Sequence, residues 1–155
     1  MARRQVVCAG PATLTAHPEF VQPDYFRDVW FHRTTGGWDG HPQQGFIHGE
    51  LIHRHYVGKM FGGDIFAQRR RVLAELPRSD YARVLEMGTS SGHFAVALAE
   101  TFPGAQITGV DLSLSMLRQA LRVANERGEI GAHPGVIEAF DARCRRREEI
   151  CRRGL

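Results

Sequence analysis

The 155-residue chain has almost no lysine: Lys59 stands alone, and arginine supplies the rest of its 20 cationic side chains. Against 17 acidic residues this leaves a net charge of +3, too small an excess to make the whole surface a polyanion binder. The runs Arg69-Arg70-Arg71 and Arg145-Arg146-Arg147 could meet phosphates, but no aromatic residues are interleaved with them. A solvated helix face is the expectation, and a nucleic-acid partner is not expected. Cysteine is scarce as well. Cys8, Cys144 and Cys151 are odd in number and form no CxxC pair, which argues against a disulfide framework and a zinc site. No apolar run reaches the eighteen residues of a membrane span. The stretch after Met1-Ala2-Arg3-Arg4 is too short for a signal-peptide core, so a cytoplasmic location is expected.

What remains is a globular composition, 43% hydrophobic and 24% charged, sized for one domain or a small domain with an appendage. Residues 1–24 are punctuated by proline and read as an irregular arm. Pro23-Asp24 opens a helix with Tyr25, Phe26, Val29 and Trp30 at helical spacing, and residues 33–45 carry the turn residues of a long loop. Ile47, Leu51, Ile52, His55 and Tyr56 step by three and four, which predicts a second helix. A third spans Asp64 to Leu76 and ends at Pro77. Residues 1–78 are thus expected to form an arm and helical cap without a clear strand.

From Tyr81 the pattern changes. Arg83 to Met87 is a short apolar run bounded by a glycine turn, which suits a buried parallel strand. Phe94, Leu98 and Phe102 mark a helix face, and Ile107 to Val110 form a second strand ending at Asp111. Ser113 is a good N-cap for a helix with Met116, Leu117, Ala120, Leu121 and Ala124 on its apolar side, stopped by Gly128. A weaker strand follows at 135–140. The fold class is therefore α/β: an N-terminal helical cap, then from residue 79 to 155 a partial Rossmann-like parallel sheet with flanking helices.

In such a sheet, ligands sit beyond the carboxyl ends of the strands. Two adjacent strand ends here offer Gly88 and Gly92, which let a backbone turn tightly against a ligand, and Asp111, which can accept from vicinal ribose hydroxyls. The run Val84-Leu85-Glu86-Met87-Gly88-Thr89-Ser90-Ser91-Gly92 resembles the first motif of class I S-adenosylmethionine-dependent methyltransferases, an acidic residue followed by G-x-G-x-G. Thr108-Gly109-Val110-Asp111-Leu112-Ser113 resembles the second-strand motif of that family, and Asp141 its acidic position after the third strand. The resemblance implies S-adenosylmethionine as cofactor. Gly88, Ser90 and Gly92 would line its methionine part, Glu86 its amino group, Asp111 the ribose, Leu112 the adenine face and Asp141 the adenine amino group. Ser90 stands where the family has its middle glycine, and is tolerable there if its φ is negative. The family sheet has seven strands; after Ala142 the Arg-rich tail lacks the apolar run of a fourth. The chain thus reads as truncated, frame-shifted or a half-domain, with self-association expected through the unpaired edge of its first motif strand.

Other readings compete for the same loop. A dinucleotide fingerprint would put Ser90 and His93 at two of its three glycines. Gly88-Thr89-Ser90-Ser91-Gly92 also matches the G-x-S-x-G elbow of α/β-hydrolases, with Asp111 and His133 following in triad order, but the strands that should precede an elbow are not evident. A non-catalytic nucleotide-binding or docking module is the third alternative. Eight histidines invite a metal, yet His53 and His55 would diverge by roughly 200° on one α-helix, so no metal is expected. His32 or His41 could serve as a general base toward a small-molecule methyl acceptor. Trp30, Phe31, Trp38 and Phe46 could line an acceptor pocket, although core packing is the stronger expectation for them.

Overall fold

The structure, a computed structural model, describes residues 5–9, 12–16, 41–129 and 137–141, with side chains described over 12–16 and 41–127. The helix expected at Tyr25 to Trp30, together with His32, Trp38, His133 and the Arg-rich tail, lies outside the described residues.

Strands β3 (Arg83–Met87), β4 (Gln106–Asp111) and β5 (Ile137–Asp141) pair in parallel, in the spatial order β5-β4-β3. Helix α3 (His93–Thr101) links the first two and α4 (Leu114–Glu129) the next two. Successive right-handed crossovers stepping the same way across a sheet put both helices on one face. That face holds the core: Ile107 of β4 meets Val96, Ala97 and Ala99 of α3 and Val123 and Ala124 of α4, all at most 2% exposed. Each of the larger side chains contributes about 1.5–3 kcal/mol by leaving water. Ser113 caps α4 as expected, its hydroxyl accepting from the Met116 N–H at 3.2 Å. Gly128 does not end that helix, which runs on to Glu129.

The expectation that residues 1–78 lack strands is wrong. β1 (Gln5–Ala9) and β2 (Ala12–Ala16) pair antiparallel with only two residues between them, and β2 lies parallel to β5. A lone two-stranded ribbon is marginal in water, and this one gains its support from β5. Such a pairing leaves no local sequence period. The other correction concerns β3, expected to be buried on both faces. Val84 and Glu86 are half-buried toward the helices, but Leu85 is 46% and Met87 72% exposed. Among the described residues β3 has a neighbour on one side only.

Residues 44–60 form one continuous helix, α1, whose central stretch Ile47–Val57 is π-helical. Its buried side carries Gln44, Gly45, His48 and Gly49, while Leu51 and Tyr56 face outward. Close backbone approach to α4 is the reason. A Cβ on Gly45 would lie 2.0 Å from the Ser115 carbonyl oxygen, and one on Gly49 would lie 2.8 Å from Gln119. The Gly45 N–H donates to Ser115 Oγ at 3.1 Å, and Glu50 accepts from Gln119 and Arg122 across the same seam. Phe46 is 48% exposed beneath the Arg122 guanidinium, so it is not a core residue. Helix α2 (Ile65–Leu73), capped by Asp64 accepting from the Phe66 N–H, packs against α3. Among the described residues no helix is long and apolar enough to cross a membrane.

Candidate functional site

Three residues of the loop after β3 have positive φ: Gly88 (73°), Ser90 (50°) and Gly92 (79°). The N–H groups of Gly88 and Thr89 both donate to the Val110 carbonyl, at 2.8 and 2.9 Å, which folds the loop over the end of β4. Thr89 then rests on Gly109, where a Cβ would come within 2.8 Å of its Oγ1. At Gly92 a Cβ would meet that of Ala120 at 2.6 Å, so this glycine sets how closely α3 approaches α4. Ser90 does not have the negative φ under which its presence was judged tolerable. The left-handed region costs a non-glycine residue about 1–2 kcal/mol. Two contacts oppose that cost: the Ser90 N–H donates to Asp111 Oδ2 at 2.8 Å, and its hydroxyl points to Met116 Sδ at 3.6 Å.

Asp111 is only 7% exposed at the end of β4, and its second oxygen accepts from the Ser113 N–H at 2.9 Å. One carboxylate thereby ties the glycine loop to the start of α4. Half-buried Leu112 follows it, and the backbone of Asp141 lies in register with Asp111 on the neighbouring strand. The three strand ends expected to form the site therefore share one edge of the sheet.

Beside the loop is a cavity of about 160 Å³ whose walls include Glu86, Gly88, Ser90, Arg69, His53 and His93. Burial pushes the Glu86 carboxyl up to about 7, against the pull of the Thr89 hydroxyl that donates to it at 2.8 Å. Nearby Asp111 raises it further, whereas Arg69 lowers it. His93 is pushed down to about 3, first by burial, then by His53, Arg69 and Arg54, so its ring is neutral. A larger open groove of about 590 Å³ runs along α1 and α2, lined by Glu50, Arg54, Asp64, Phe66 and Arg127 among others. Its charges are matched within the protein: Arg54 with Glu50, Asp64 with Arg70, Arg127 with Glu100. The glycine-loop cavity is the one with polar groups to spare.

Of the residues expected at the site, Glu86, Gly88 and Ser90 line this cavity and Asp111 grips the loop that forms it. Gly92 stands behind it as a packing residue. Sequence reasoning missed Arg69, His53 and His93. Arg69 belongs to a run expected to be a solvated face, but its guanidinium lies 4.6 Å over the Phe94 ring, and Arg70 bonds Glu100 of α3 at 2.7 Å. His53 reaches the site because π-helical winding stacks it one turn from His48, with ring centroids 6.1 Å apart, while His55 is exposed beside Lys59. His41 is exposed and accepts from the Gln43 N–H through Nδ1. The hydrolase alternative finds no support: Ser90 Oγ faces a methionine sulfur, and both Asp111 oxygens hold backbone N–H groups.

A family model described as "Methyltransferase domain" matches residues 84–146. Demethylmenaquinone methyltransferase of Thermus thermophilus is 38% identical over 68 residues, 44% of this chain and 30% of that protein. Trans-aconitate 2-methyltransferase of Rhodopseudomonas palustris is 43% identical over 51 residues, 33% of this chain and 20% of that protein. Malonyl-[acyl-carrier protein] O-methyltransferase of Legionella pneumophila is 42% identical over 64 residues, 41% of this chain and 21% of that protein. The chain thus covers less than a third of the length of these relatives. The X-ray structure of YjhP from E. coli aligns over 65% of this chain and 37% of that one, at 25% identity and a TM-score of 0.41. Residues 84–146 of this chain are thus similar to a methyltransferase domain, and the similarity to these relatives is to part of their length only.

Proposed function

We propose that the chain binds S-adenosylmethionine at the glycine loop, and that the protein transfers the donor's methyl group to a small-molecule acceptor in the cytoplasm. The observation that carries this reading is the junction of loop and strand end: Asp111 fixes Ser90 while Gly88 leaves open space where a Cβ would stand. Family members use this donor, and among the matched relatives one is named for trans-aconitate and another for demethylmenaquinone, both small molecules.

The residues present fit the donor. Each carboxylate oxygen has two lone pairs. Asp111, which accepts from Ser90 with one oxygen and from Ser113 with the other, would hold the ribose hydroxyls. Glu86 would take the amino group, Leu112 would lie along the adenine, and Asp141, at the neighbouring strand end, would meet the adenine amino group. Bound donor supplies a methyl group already activated by its sulfonium, so the protein's task is to align an acceptor and exclude competing water. Titration calorimetry with S-adenosylhomocysteine tests the reading. Wild type is expected to bind, and Asp111→Ala to lose roughly 1.5–3 kcal/mol, the range for hydrogen bonds to a charged group. Absence of binding at millimolar ligand would remove the donor assignment, leaving a non-catalytic docking module as the alternative.

A further inference from the structure

Two buried nitrogen atoms at the glycine-loop cavity, Nε of Arg69 and Nε2 of His93, have no hydrogen-bond partner among the described residues. Both residues line the cavity, and so does Glu86. Buried polar atoms without partners are rare in native proteins, and two on the walls of one cavity point to a ligand group that completes them. Arg69 has no other employment that accounts for this. One of its terminal nitrogens donates to Gln68 and its plane rests on Phe94, but among the described residues it makes no ion pair, whereas Arg70 beside it holds both Asp64 and Glu100.

His93 is 3% exposed, and its tautomer is decided at its other nitrogen. Ser91 Oγ, fully buried, lies 3.2 Å from Nδ1 of His93 and 3.2 Å from Nδ1 of His53. A hydroxyl has one proton, so it donates to one imidazole and accepts from the other. Two arrangements satisfy this, and the one in which His53 donates to Ser91 and Ser91 donates to His93 leaves the proton of the neutral His93 ring on Nε2, where it can be donated into the cavity.

We propose that Arg69 Nε–H and His93 Nε2–H form a carboxylate clamp, and that with Glu86 they read the zwitterionic amino-acid end of the donor. The proposal rests on the donor assignment above and extends it to residues outside the glycine motif. Charge selects this chemistry. A simple anion entering the cavity meets the Glu86 carboxylate and a simple cation meets Arg69, whereas a group bearing both signs satisfies both. Size agrees: at roughly 30 Å³ per water-sized group, about 160 Å³ admits an amino-acid head and its first methylene but not a nucleoside.

The test is calorimetry on the full chain with three probes: S-adenosylhomocysteine, its decarboxylated analogue, and 5′-methylthioadenosine, which lacks the amino-acid end. Wild type should bind S-adenosylhomocysteine roughly 10- to 100-fold more tightly than the decarboxylated analogue. Arg69→Met, which keeps the apolar stem over Phe94, should abolish most of that preference while leaving the affinity for the decarboxylated analogue within about twofold. Arg69→Lys, which retains charge without Nε–H, should recover only part of it. His93→Phe should weaken the same preference. Equal wild-type affinity for the carboxylated and decarboxylated ligands overturns the clamp and leaves the donor site standing. Equal losses for both ligands in Arg69→Met also overturn it, since they mark a general effect on the fold. Binding of none of the three by wild type defeats the donor assignment and the clamp together.

Discussion

Asp111 accepts the Ser90 N–H at 2.8 Å, and this one bond joins the two motif loops across neighbouring strands. Asp111→Asn separates its structural role from its ligand role. The amide keeps one acceptor oxygen, but its NH2 group faces one of the backbone donors at Ser90 and Ser113. We expect a loss of about 1–3 kcal/mol of stability from the unpaired donor, read as a lowered urea midpoint at unchanged m-value. A midpoint equal to wild type would mean that the loop is held by other contacts.

Ser90 carries the backbone strain of the loop, with φ at 50°. Ser90→Gly relieves that strain but frees the unfolded chain, by about 0.4–1 kcal/mol, so the two effects nearly cancel. Ser90→Val has no such relief, and its branched side chain is a genuine outlier at this φ. We expect Ser90→Gly to remain within about 1 kcal/mol of wild type and Ser90→Val to lose clearly more. A fluorophosphonate probe should leave Ser90 unlabelled; a stoichiometric adduct there would restore the hydrolase alternative.

Gly45 and Gly104 form a matched pair for testing the seam between α1 and α4. A Cβ at Gly45 would sit 2.0 Å from backbone oxygen, whereas at Gly104 nothing lies within 4 Å. Gly45→Ala should cost about 1–3 kcal/mol, the range for overpacking, and Gly104→Ala should fall within about 0.5 kcal/mol of wild type. Similar thermal midpoints for the two variants would show that α1 is not packed against α4 in solution.

Glu86 makes stability depend on pH in an identifiable direction. Its folded pKa of about 7 lies above the ordinary 4.5, so the folded state holds the proton more tightly than the unfolded state. The stability this gives is present below pH 4.5 and is lost as pH rises through 7. Glu86→Gln keeps an acceptor for Thr89 without a charge. Its melting temperature should exceed that of wild type at pH 8, and the gap should close by pH 5. His93 works in the opposite sense: its folded pKa of about 3 lies below 6.5, so stability present above pH 6.5 is lost as pH falls toward 3. A gap for Glu86→Gln that is constant across pH would show that Glu86 is not held in a desolvated site.

The outward-facing residues of β3 define a fifth expectation. Leu85 and Met87 are exposed on a strand paired on one side only among the described residues, and such edges invite association. Light scattering of the 155-residue chain should show concentration-dependent oligomers. The double variant Leu85→Lys with Met87→Lys should shift them toward monomer. A monomeric wild type at high concentration would dispose of this idea.

The sequence revealed most where local chemistry determines structure. Glycine at 88 and 92, the apolar run at 84–87, Asp111 closing its strand and Ser113 capping α4 are short-range signals, and each appears in the structure where it was expected. What stayed hidden depends on distant partners. Residues 12–16 are a strand because β5 lies beside them, and Phe46 is exposed because Gly45 and Gly49, not the large apolar residues, make the contact with α4. Arg69 and His93 were hidden for the same reason. Nothing within an arginine run or beside a glycine announces a cavity that α1, α2 and α3 build together.

The pairing of β2 with β5 has a kinetic side. Thr13 meets Glu138 and Leu14 meets Ala139, partners some 125 residues apart in the chain. During synthesis the β1–β2 ribbon therefore leaves the ribosome long before its parallel partner exists, while β3, α3 and β4 can associate through much shorter loops. Closing a long loop costs entropy before any pairing rewards it, so the ribbon should join late, onto a sheet already nucleated around Ile107. Until then its free edges depend on chaperones, or on good fortune, to avoid the wrong neighbour.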